Sequence, residues 1–191
     1  RFKTRGYFFF SMRVQPFGFF PVLLSCHSSQ ETDAERIARY ENMSYQEMIA
    51  DIDTPQEVSW YLQHYISKEE DPLHAYSFRV FHQRRKGDCS EAIVAAAALL
   101  SDDGYPPHVL IFRFPLDPHG PSHHGIFVYE QDARWGSLGI NTRDVQKAEF
   151  TLEGLAQKSL YSEYAFVRLP IEQFPDWIST SHNLNIHNDF F

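Results

Sequence analysis

Residues 92–100 read Ala-Ile-Val-Ala-Ala-Ala-Ala-Leu-Leu, an unbroken apolar run. A helix that is apolar on every side must be buried all round. The alanines let a neighbouring sheet approach closely. Both ends of the run carry helix signals. Asp88 can cap the start, and Glu91 lies three residues on, as in a capping box. Asp102-Asp103-Gly104 stops the helix, and Pro106-Pro107 forbids its continuation. The fold therefore has to be built around this segment.

The flanking pattern says what surrounds it. Apolar residues at Ile37, Tyr40, Met48 and Ile49 predict one or two amphipathic helices over residues 33–52. Thr54-Pro55-Gln56-Glu57 is a strong helix start, with a threonine cap, a proline at the first helical position and an acid three after the cap. Val58, Tyr61, Leu62, Tyr65 and Ile66 form that helix's inward stripe. Strands are predicted over 108–114, 124–130, 134–140 and 164–169, with a helix over 151–159. Helices first, then a run of antiparallel strands, is an α+β pattern with the 89–100 helix packed on the sheet.

The N-terminal region reads differently. Arg1, Lys3, Arg5 and Arg13 precede an apolar stretch through Phe19, Phe20, Leu23 and Leu24 to Ser25-Cys26. A basic start, a short apolar stretch and a small residue before the cut describe a secretory signal. Leu23-Leu24-Ser25-Cys26 resembles a bacterial lipoprotein cleavage box, which implies lipidation of Cys26. Four segments are expected: a leader over 1–26, a polar tether with amphipathic helix over 27–53, a domain over 54–178 and a tail over 179–191. The leader reading implies export to the cell envelope, with membrane contact only through the lipid anchor.

The formal net charge of −8 argues against a nucleic-acid-binding face. The two cysteines, Cys26 and Cys89, do not make a disulfide framework. Cys89 instead falls in the first turn of the apolar helix, where unpaired N–H groups and the helix dipole favour negative charge. Arg84, Arg85 and Lys86 precede it, and Asp88 opposes them. The plain alternative is an inert buried thiol.

Arg85-Lys86-Gly87-Asp88-Cys89-Ser90-Glu91-Ala92, the apolar helix, and then Gly104-Tyr105-Pro106-Pro107-His108-Val109 resemble the transglutaminase-like superfamily of papain-fold proteins. His124-Gly125-Ile126-Phe127-Val128-Tyr129 and Arg134-Trp135-Gly136 follow at the family's spacing. The resemblance spans about Thr54 to Leu169. It implies a papain-like fold and a Cys–His–Asn/Asp triad acting on amide bonds. Cys89 would be the nucleophile and His124 the base, with His123 as rival. Strand alternation groups His124 with Ile126 and Val128, and that aliphatic face is expected to meet the Cys89 helix. Asn141 would orient the histidine, with Asp144 as rival. Gln83 is a candidate oxyanion donor beside the Cys89 N–H. Trp135 is expected to pack under the histidine strand.

The substrate implied is a peptide or protein amide, including peptidoglycan-linked amides if the chain is exported. Release of the acyl group to water or to an amine stays open. No cofactor is implied. A zinc site from His119, His123 and His124 is disfavoured by the Pro-rich loop between them. The rival reading is a degenerate binding or scaffold module that keeps the fold without the chemistry.

Overall fold

A computed structural model describes residues 31–69, 75–100, 102–114, 122–140, 145, 148–158 and 163–168, with backbone only at 113–114, 122–123, 163–164 and 166–168. The leader with Cys26, the tail from 179, and Asn141 and Asp144 lie outside the described residues.

Three helices come first: α1 (Asp33–Glu41), α2 (Tyr45–Asp51) and α3 (Pro55–Trp60). Local signals set each start. Thr32 and Ser44 open α1 and α2 with full capping boxes closed by Glu35 and Glu47. Thr54 caps α3 with Pro55 at its first position. The inward stripe predicted to continue α3 is buried as expected. Its second half, Tyr61–Tyr65, winds as a π-helix.

A two-residue strand β1 (Ser67–Lys68) pairs in parallel with β2 (Lys86–Gly87). Between them lies α4 (Phe78–Arg84), capped by Ser77. Sequence reasoning passed over α4. It is short, and its inward residues Phe78, Phe81 and His82 are buried. The apolar helix is α5 (Cys89–Leu100), and all its residues after Cys89 are buried.

The sheet contains β3 (His108–Phe114), β4 (Ser122–Gln131), β5 (Arg134–Leu138) and β6 (Glu163–Arg168), in the order β5-β4-β3-β6. All its pairings are antiparallel. The helix α6 (Leu152–Gln157) lies on the connection from β5 to β6, the two edges of the sheet. The α+β expectation holds, with mixed helices and a small antiparallel sheet.

Two apolar clusters use opposite faces of the sheet. Val109, Ile111, Phe127 and Leu138 join α5 and the N-terminal helices. Leu110, Phe112, Ile126 and Val128 join Leu155 and Ala156 of α6. Tyr40, Met48 and Ile52 belong to the first cluster, so the helical segment read as preceding the domain packs within its core. The described residues from Thr32 onward cluster as one compact unit.

The β4–β5 hairpin turns through Asp132 (φ 53°) and Ala133 (φ 56°). Two consecutive left-handed residues describe a type I′ turn, which favours Asp-Gly over Asp-Ala. A Cβ in that region costs about 1 kcal/mol. Ala133→Gly is therefore expected to raise stability by about 1 kcal/mol, measured as a higher urea midpoint with an unchanged m-value. A lower midpoint would mean that the alanine methyl group makes a contact outweighing the strain.

Candidate functional site

The start of α5 is tightly built. A Cβ at Gly87 would lie 2.7 Å from Phe81 Cε2 and 2.9 Å from Glu91 Oε2. Position 87 is therefore closed to side chains. Asp88 accepts from the Ser90 N–H at 2.7 Å, and Glu91 Oε2 accepts from the Asp88 N–H at 2.8 Å. The capping arrangement expected for this helix is present. Asp88 bonds the second helical residue where a full capping box would bond the third. Cys89 is half-buried and carries a free thiol.

The placement of α5 follows from a missing side chain. A Cβ at Gly125 would sit 2.5 Å from Ile93 Cδ1. Ile93 thus fills the space that Gly125 leaves on β4. Cys89 is one helical turn before Ile93, about 6 Å along the axis. The short connection through Gly104 takes the far end of α5 to His108, which pairs with Val128. Cys89 therefore lies toward the opposite end of β4, where the strand begins. Two strand residues span about 6.8 Å. Two back from Gly125 is position 123, on the same face of the pleat.

This corrects the expectation for His124. It does share a face with Ile126 and Val128, but that face is the one covered by α6. His124 pairs with Phe112 in the register, and their rings stack at 6.5 Å. Phe112 belongs to the α6 cluster. The face that meets α5 carries Gly125 and Phe127. His123, the rival, pairs with Arg113 and has the parity of the α5 face. Both faces are buried, so apolar content does not discriminate.

The other candidates are placed as follows. Gln83 is exposed on α4. With Glu41, Met43, Tyr65, His82 and Arg85 it lines a depression of ≈ 400 Å³, and Cys89 is not among the lining residues. The basic residues before Cys89 are engaged with acids. Arg84 bonds Glu69 at 2.9 Å, Lys86 lies 3.8 Å from the same carboxylate, and Arg85 pairs with Glu41. Trp135 packs against the α6 cluster with its ring 5.9 Å from that of His108. His119 lies outside the described residues. Among the described residues, no group of three or more His, Cys, Asp or Glu side chains could hold a metal ion. No helix among them is long and apolar enough to cross a membrane.

Local spacing marks Glu91 only as a cap. It is 1% exposed, and Oε1 also accepts from the Tyr76 N–H at 3.1 Å. Burial, with the neighbouring Asp88 charge adding, pushes its carboxyl up to about 8.

The arrangement presents a half-buried thiol at a helix start, above the histidine-bearing end of a strand. Comparison with protein-family models finds no matching family, and comparison with curated proteins finds no match.

Proposed function

We propose that this chain is a cysteine enzyme of transglutaminase-like type, acting on peptide or protein amides through Cys89. The observation that carries the reading is the position of Cys89. It opens the buried helix α5, one turn before the Ile93–Gly125 contact, over the start of β4. A histidine there can take the thiol proton. The sulfur then attacks the amide carbonyl, and the oxyanion is met by the backbone N–H of Cys89. The imidazolium returns the proton to the leaving amine. A thioester remains, and water or a second amine releases the acyl group. The register supports His123 as the base ahead of His124. Asn141 or Asp144 would orient it.

A papain-like fold goes with this reading. So does an envelope location, with peptidoglycan-linked amides among the substrates, if Cys26 is a lipid anchor.

The test is the pH profile of Cys89 alkylation by iodoacetamide, read by mass spectrometry. Alkylation should stay fast at neutral pH in the parent protein. His123→Ala should slow it about tenfold or more at pH 7, whereas His124→Ala should change it by less than about threefold. The reverse order would restore His124 as base. An ordinary thiol profile that neither variant alters would sink the enzyme reading and leave a scaffold module.

A further inference from the structure

We propose that Glu91 is a positioning residue for Cys89: its buried carboxyl latches the Gly87–Asp88 turn and the segment before α4 to the first turn of α5, held there beside Asp88 as the neutral acid. The inference rests on the reading of Cys89 as the reactive group, but its principal test does not use the thiol.

The chain contains its own controls. Glu35 and Glu47 perform the same local capping task on α1 and α2, and both are exposed. Hydrogen bonds from Ser44 hold the Glu47 carboxyl below its ordinary range, as expected for a solvated, ionised cap. Glu91 differs in burial and in reach. Its second oxygen bonds the N–H of Tyr76, fifteen residues earlier, and so joins two segments that a cap alone would leave separate.

The surroundings favour an acid over a carboxylate. The segment before α4 presents the Tyr76 N–H, β2 presents Gly87, and α4 presents the Phe81 ring. Among the described residues, the charged group acting on Glu91 is Asp88, within its own turn. Lys86 and Arg84 are directed to Glu69. A neutral carboxyl can accept both N–H groups and share its proton with Asp88. A second negative charge here would be buried, would face Asp88, and would lie two residues from a forming thiolate. The helix dipole would then be divided between them. Loss of the Glu91 proton to solvent therefore loosens the turn that positions Cys89.

The test uses the full 191-residue chain carrying Cys89→Ser, so that thiol titration cannot contribute. Urea midpoints are measured from pH 6 to 9. The midpoint should fall from pH 6 upward and level off near pH 8. Glu91→Gln should abolish that transition. Asp88→Asn should move it to lower pH, because it removes the charge that helps hold the proton on Glu91. A capping role alone would change the midpoint little in either variant, because asparagine and glutamine also cap, and would move no transition. If Glu91→Gln does not fold, the direction of the Asp88→Asn shift decides. With Cys89 restored, alkylation above pH 8 should fall short of a simple thiol titration, and Glu91→Gln should remove that shortfall. A flat midpoint over this range, or a transition unmoved by Asp88→Asn, overturns the latch and leaves the assignment of Cys89 standing.

Discussion

Phe127→Ala is expected to lower the unfolding free energy by about 3–5 kcal/mol. The ring is fully buried on the α5 face of β4, paired with Val109 on one side and Leu138 on the other. It belongs to the cluster that joins α5 and the N-terminal helices to the sheet. Truncation removes the transfer free energy of the ring and leaves a cavity between layers that backbone hydrogen bonds hold in place. A domain of this size is stable by only about 5–15 kcal/mol, so the variant should sit near its unfolding threshold. Urea denaturation checks it: the midpoint should fall sharply with the m-value unchanged. A loss below about 1 kcal/mol would show that α5 settles onto the sheet without the ring, contrary to the packing described.

A comparable loss is expected for His82→Ala, for a different reason and with a pH signature. His82 is 5% exposed within Tyr61, Tyr65 and Phe78. Its Nε2 lies 2.9 Å from the Met43 carbonyl, which only accepts, so that nitrogen carries the proton. Nδ1 then accepts from the Tyr61 hydroxyl at 3.1 Å. Alanine leaves both partners unsatisfied and opens a cavity, together about 3–5 kcal/mol. Tyr61→Phe removes only one bond and should lose about 1 kcal/mol.

Burial pushes the His82 imidazole below its ordinary value, partly offset by the Met43 bond. The unfolded chain then binds the proton more readily than the folded one, so stability should fall as pH drops below about 6.5. Glu91 acts in the opposite sense. Its carboxyl is raised to about 8, so its contribution is complete below the unfolded value and is lost as pH rises toward 8. The two groups together predict greatest stability on the mildly acidic side of neutrality. His82→Phe should remove the loss at low pH while leaving the fall toward pH 8. An unchanged acid limb in that variant would exclude His82 as its source.

Much of this was legible in the sequence because the signals were local. Thr54-Pro55 and Thr151 announced helix starts, and the structure places caps there. The run 92–100 required burial on all sides, and all of it is buried. The strands fell within about two residues of their expected bounds. The helix α4 was not legible: it is short, and its inward residues Phe78, Phe81 and His82 are recognisable only once α5 and the aromatic cluster surround them. Glu91 was legible as a cap, but its bond to Tyr76 crosses between segments and leaves no mark on local spacing.

The sequence by itself determined which residues of β4 share a face, because side chains alternate along any strand. His124 goes with Ile126 and Val128, and position 123 goes with Gly125 and Phe127. Only the tertiary structure decided which face receives α5. Both faces are apolar, and the choice fell to fit: Gly125 leaves a gap that Ile93 fills, while the opposite face is occupied by Leu155 and Ala156 of α6. Periodicity is a property of one chain segment, whereas complementarity belongs to two, and it exists only when both have been brought together.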